Sequence, residues 1–158
     1  MFTVSVIVLR LAAAICLGAI LGLERTFAGK TAGMRTYAMV AIGACGFILI
    51  DLVASSSVFN VAGANPIVIE QAVITGIGFL GAGLVIFQNN KVVGLTTAAG
   101  IWVAAAVGIA SGFGYFTIAL AITLAALVIF TILKFIEVNL ERFGYKSIRQ
   151  ADENGEEK

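Results

Sequence analysis

The chain has 158 residues, 60% of them hydrophobic and only 12% charged. Soluble domains carry about 25% charged residues, so this composition excludes a water-soluble globule and leaves an all-α, polytopic membrane helix bundle. A formal net charge of +1 provides no basic face for nucleic acid, and with no histidine and only two cysteines there is no His/Cys metal cluster, Cys-His nucleophile or C-x-x-C motif.

The first span covers residues 4–23, about the 20 apolar residues needed to cross a hydrocarbon core. Met1–Ser5 has no basic n-region, and the apolar run ends at Glu24-Arg25 instead of a small-residue cleavage site. It therefore reads as a retained span and not as a signal peptide. Arg10, Ala14, Gly18 and Gly22 recur every four residues and share one face, which combines a charge with small side chains and is expected to pack on protein. A polar segment follows with Glu24, Arg25, Lys30 and Arg35. Cys16 and Cys45 lie in separate apolar runs and read as small packing residues.

Span two, residues 36–54, opens at Thr36 and holds Asp51 near its far end. A polar, uncharged loop over residues 55–65 is closed by Pro66. Span three, residues 67–87, carries Glu70 in its first turn and then Gly76, Gly78, Gly81 and Gly83. Three of these spell G-x-G-x-x-G, but a dinucleotide turn needs an αβ unit and an acidic residue about 20 positions on. No carboxylate occurs between Glu70 and Glu137. The glycines read instead as places where helix backbones touch.

A short turn, residues 88–93, contains Lys91 and leads to span four, residues 94–111. Thr96 and Thr97 open that span, where hydroxyls can cap free backbone N–H groups. Gly100, Ala104, Gly108 and Gly112 form an unbroken four-residue repeat, the strongest helix-contact pattern in the chain. Gly112-Phe113-Gly114 reverses the chain into span five, residues 115–135, which is more uniformly apolar and expected to face more lipid. The helix is expected to run on at the interface through Glu137, Glu141 and Arg142. The membrane domain is assigned to residues 1–143, and the polar tail, 144–158, is expected to be disordered.

Lys and Arg concentrate after spans one, three and five and are absent from the loops after spans two and four. The positive-inside rule then places the N-terminus outside and the C-terminus in the cytoplasm. In this topology Arg10, Asp51 and Glu70 share the outer side, Arg10 roughly 10 Å deep and the carboxylates roughly 5 Å, at the helical rise. Charges in the bilayer are costly unless neutralised. Three arrangements stay open: a polar pocket with one net negative charge for a cation or proton, an inert ion pair that fixes helix register, or separate snorkelling to water. The inner side holds Glu24, Arg25, Arg35, Thr36, Thr96 and Thr97, where Glu24 can pair with Arg25 or Arg35. Structural bracing is the default reading there, with ion entry or partner docking as the other.

With these residues assembled, the chain resembles the MgtC/SapB family of bacterial inner-membrane proteins. The likeness covers roughly residues 9–115 and rests on four blocks in order: Leu21-Gly22-Leu23-Glu24-Arg25, Ala32-Gly33-Met34-Arg35-Thr36, Gly76-Ile77-Gly78-Phe79-Leu80-Gly81-Ala82-Gly83, and Gly94-Leu95-Thr96-Thr97-Ala98-Ala99-Gly100-Ile101-Trp102. The resemblance implies five spans, in agreement with the count above. It also implies a link to growth under magnesium limitation and, in pathogens, to virulence, with contact to the membrane part of F-type ATP synthase as one mechanism. The short form without a soluble C-terminal domain is the closer likeness. Two functions follow as expectations: a membrane regulator working through helix contacts, or a small cation or proton transporter using Arg10, Asp51 and Glu70. No catalytic residue and no cofactor is expected. A bound divalent cation is left open, although two carboxylates offset by an arginine make a poor magnesium cage. A homodimer is expected, because five short helices cannot bury all the small-residue faces.

Overall fold

Inside hydrocarbon no water is present to bond free amides, so each long apolar run closes its hydrogen bonds within itself as a helix. The computed structural model describes residues 3–57, 67–88 and 90–142. In chain order these form α1 (Val4–Phe27), α2 (Met34–Ser57), α3 (Ile67–Leu84), a hairpin of β1 (Ile86–Gln88) and β2 (Lys91–Val93), α4 (Leu95–Phe113), α5 (Phe116–Val128), a π-helical turn (Ile129–Leu133) and α6 (Lys134–Arg142). The helices Val4–Phe27, Met34–Ser55, Leu95–Phe113 and Phe116–Leu140 are long and apolar enough to cross a membrane, and Val68–Leu84 is a shorter apolar helix. The all-α membrane bundle expected from composition is therefore the observed class. The expected polar tail and most of the loop before Pro66 lie outside the described residues.

The chain divides into two compact units, Met1–Ala126 and Leu127–Lys158. In the first, α2 and α4 form the centre: α1 packs on both, and α3 packs on α4. One buried cluster joins Ala14 of α1 to Ala41, Cys45 and Leu49 of α2. A second joins Ala44 and Ile48 of α2 to Ala105 and Ile109 of α4, with Val73 and Ile77 of α3 against it. Half of the buried residues in these two clusters are Ala, and small side chains at a crossing let helix backbones approach closely, as in lipid interfaces. In the second unit Phe130 of the π turn is buried and α6 carries Glu137 in its first turn.

Several boundaries differ from the expectation: α1 runs on past residue 23 to Phe27, taking in Glu24 and Arg25, and α2 spans Met34–Ser57 and not residues 36–54. Span three was placed over residues 67–87 with a plain turn after it, but α3 stops at Leu84 and the next residues pair as an antiparallel hairpin, Ile86 with Val93, Phe87 with Val92 and Gln88 with Lys91. Two residues here are left-handed: Asn90, between the strands, at φ +58°, and Gly94, just after β2, at φ +93°. Gly94 is also the N-cap of α4, and a side chain there would collide with the carbonyl of Leu84. Only glycine combines that angle with that proximity.

Candidate functional site

Arg10 is half-buried on α1, and its Nη1 donates to the carbonyl of Gly112 at 2.7 Å. Gly112 is in the last turn of α4, where carbonyls lack intrahelical donors and the helix dipole is negative. Gly114 follows at φ +83°, and an added Cβ would lie 2.9 Å from Arg10 Nη2. The guanidinium therefore caps α4 from the neighbouring helix. Asp51 Oδ1 accepts a long hydrogen bond from Ser55 Oγ at 3.5 Å, and its buried Oδ2 has no hydrogen-bond partner among the described residues. Glu70 lines a cavity of about 510 Å³ between α3, α4 and α5, whose wall includes Trp102, Phe113 and Tyr115. Among the described residues, neither Asp51 nor Glu70 forms an ion pair with Arg10. The shared pocket, one of the three arrangements left open, is not formed by direct pairing among the described residues: the carbonyl end of α4 offers Arg10 its own negative partner, Asp51 accepts from Ser55, and Glu70 faces the cavity.

At the other end of α1, Arg25 is 2% exposed and forms an ion pair with Glu24 through Nε and Nη2. Of the two partners expected for Glu24, the structure selects Arg25; Arg35 and Thr36 are exposed at the start of α2. Across the loop the brace is Thr26, which the sequence reading missed. Its hydroxyl donates to Gly22 O at 3.0 Å and accepts the Met34 N–H at 3.0 Å, tying the end of α1 to the first turn of α2. Tyr37, also missed, is fully buried, and its hydroxyl has no hydrogen-bond partner among the described residues. A tyrosine in an apolar run reads as core, so only burial reveals the stranded hydroxyl. Thr97 is buried and Thr96 exposed. Their expected capping role is corrected: the N-cap of α4 is Gly94, with no side-chain cap bond. That places the threonines at the second and third helical positions, downstream of the residue whose side chain caps.

The packing glycines divide into two sets. An added Cβ at Gly18 would meet Ala41 Cβ at 2.8 Å, and one at Gly22 would meet Met34 Cα at 2.6 Å. At Gly108 it would strike the Ala41 carbonyl, and at Gly112 it would meet Ile48 Cβ at 2.8 Å. Gly100 and Ala104 are buried on the same helix. Gly76, Gly78 and Gly83 have nothing within 4 Å of such a Cβ, and Gly81 only the ordinary contact with Ala98 Cβ at 3.7 Å. The expectation that all of these α3 glycines press on a neighbour is thus corrected within this chain. No group of three or more His, Cys, Asp or Glu side chains able to hold a metal occurs among the described residues.

The profile of the MgtC family matches residues 11–139. The chain is 38% identical over 138 residues to the Escherichia coli K12 protein named "Putative magnesium transporter YhiD", covering 84% of this chain and 64% of that one. It is 42% identical over 120 residues to protein MgtC of Salmonella typhimurium LT2, covering 76% of this chain and 49% of the relative. To protein MgtC of Brucella abortus it is 39% identical over 104 residues, covering 66% and 41%. The chain thus spans about half the length of the MgtC relatives and just under two-thirds of YhiD. No solved structure matches it.

Proposed function

Because this chain belongs to the MgtC family, we propose that it is a magnesium-related protein of the bacterial cytoplasmic membrane that regulates another membrane complex by laying α3 against it. One observation carries this reading. Ala72, Gly76, Phe79 and Gly83 stand at i, i+4, i+7 and i+11, one stripe of a helix; all four are exposed, Phe79 by 81%, and both glycines face open space. Such a stripe lets a second helix approach closely, with Phe79 as the knob. The membrane part of F-type ATP synthase is the proposed complex and a second copy of this chain the competing occupant. Adaptation to low magnesium, and virulence where the host is a pathogen, are the proposed physiological settings. The positive-inside pattern supports an outer N-terminus and a cytoplasmic C-terminus.

Co-purification from membranes after in-cell crosslinking tests the proposal. Gly76→Leu and Phe79→Ala should fold normally yet lose the crosslinked membrane complex. Undiminished recovery with both variants would refute docking through α3, and a crosslink only to tagged copies of the same chain would assign the stripe to self-association.

A second reading, a cation or proton route, is favoured by the buried, unpartnered Oδ2 of Asp51, since intramembrane carboxylates mark ion pathways. The name of the YhiD relative points the same way. Liposomes holding the purified protein should then show ion or proton flux that Asp51→Asn and Glu70→Gln abolish. Silent liposomes would end this reading. No enzymatic step is proposed.

A further inference from the structure

The cavity beside Glu70 is open to a more specific assignment. It lies on the side of α3 away from the Gly76–Gly83 stripe, so it is independent of the docking proposed above. Glu70 and Ile74 form its α3 wall, Trp102 and Phe113 its α4 wall, and Ile122 of α5 with Tyr115 just before that helix the third wall. The hairpin makes α3 and α4 antiparallel neighbours, so Glu70 sits at the Phe113–Tyr115 end. Trp102 lies eleven residues back along α4, about 16 Å at the helical rise. The cavity therefore has a carboxylate and an aromatic pair at one end, the rings of Phe113 and Tyr115 being 6.0 Å apart, and apolar walls along the rest of its length.

Glu70 has no hydrogen bond or ion pair among the described residues. The N-terminus of α3 stabilises a carboxylate in its first turn to some extent, but that leaves the charge facing an apolar cavity. A cation completes such a site. A bare divalent ion fits badly, because magnesium needs an octahedron of oxygens and the wall holds only one carboxylate among the described residues. An ammonium fits well: it pairs with the carboxylate and lies against aromatic faces, while an attached alkyl chain fills the apolar length. A volume of about 510 Å³ is of the size that holds one small amphiphile.

We propose that this cavity is a binding site for a membrane phospholipid whose headgroup ends in a primary ammonium, with the ammonium at Glu70 and one acyl chain running along α4 toward Trp102. Trp102 is the only tryptophan in the chain, so the protein carries its own reporter. The purified full chain, reconstituted in mixed vesicles, is titrated with phosphatidylethanolamine, phosphatidylcholine or phosphatidylglycerol bearing brominated acyl chains, and quenching of Trp102 fluorescence is read.

The ethanolamine lipid should half-quench at a concentration roughly fivefold lower than the other two, the scale of a partly exposed ion pair. Glu70→Gln should erase that preference while leaving the quenching common to all bilayer lipids. Ala106→Phe, which fills the cavity without touching the carboxylate, should lower quenching by the ethanolamine lipid to the level of the others. Asp51→Asn should retain the preference, which separates this site from the cation route. Equal quenching by the three headgroups in the parent protein would overturn the proposal. So would a preference that survives Glu70→Gln, or its loss on adding millimolar magnesium at constant ionic strength. If Glu70→Gln does not fold, native mass spectrometry of the parent protein decides: selective retention of phosphatidylethanolamine over phosphatidylglycerol supports the site, and equal retention refutes it.

Discussion

At Gly108 an added methyl group would clash with the Ala41 carbonyl, and backbone cannot swing aside as a side-chain end does. Gly108→Ala should therefore lower stability by about 1–3 kcal/mol, seen as a drop in the thermal midpoint in mild detergent. Gly76→Ala meets open space and should leave the midpoint unchanged or raise it, since a mid-helix glycine costs roughly 0.5–1 kcal/mol relative to alanine. The two glycines look alike in the sequence, each in an apolar helix with a small residue four positions away. What distinguishes them is which helix lies opposite, and spacing alone does not carry that. Arg10 shows the same limit for charge. Its depth and its small-residue face were legible, but its hydrogen-bond acceptor is a carbonyl 102 positions away. Arg10→Met should cost about 1.5–3 kcal/mol, the range for a hydrogen bond from a charged donor, and Arg10→Lys less; denaturant titration in detergent measures both.

Among the elements, the junction of α1 and α2 depends on one hydroxyl. Thr26 receives the Met34 N–H and returns a bond to Gly22 O, so it caps α2 from outside that helix. Thr26→Val removes both bonds at nearly constant volume and should destabilise by about 0.5–2 kcal/mol, the worth of a helix cap, while Thr26→Ser should hold close to the parent value. The hairpin after α3 was the element least legible beforehand. Its strands are only three residues each; Ile86 and Phe87 read as the end of span three, and Val92 and Val93 as part of the turn that follows. The informative signs were the turn formers Asn90 and Gly94, whose positive φ values break helical continuity. By contrast, the four-residue repeat of α4 named its buried face directly, since Gly100, Ala104, Gly108 and Gly112 are all buried.

For the whole molecule, the distribution of Lys and Arg predicts that the hairpin and the C-terminus share the cytoplasmic side. In a background with Cys16→Ser and Cys45→Ala, Lys91→Cys should react with a membrane-impermeant thiol reagent in inverted vesicles and stay unlabelled in intact spheroplasts. Labelling only in spheroplasts would reverse the orientation and move Arg10, Asp51 and the Glu70 cavity to the cytoplasmic end. That outcome would leave the packing of α1, α2 and α4 untouched, because those contacts do not depend on which side is which.

Composition, the lengths of the apolar runs and the spacing of small residues determined by themselves that this chain is a bundle of membrane helices, where most of the helices lie and which face of α4 is buried. These are local properties, set by the need to satisfy backbone amides in hydrocarbon and by helical period. Only the tertiary structure decided that Arg10 caps α4, that Thr26 braces the first loop, and that the glycines of α3 look outward while Glu70 faces a cavity. Those outcomes depend on which side chains, distant in sequence, arrive at the same place once the helices have packed.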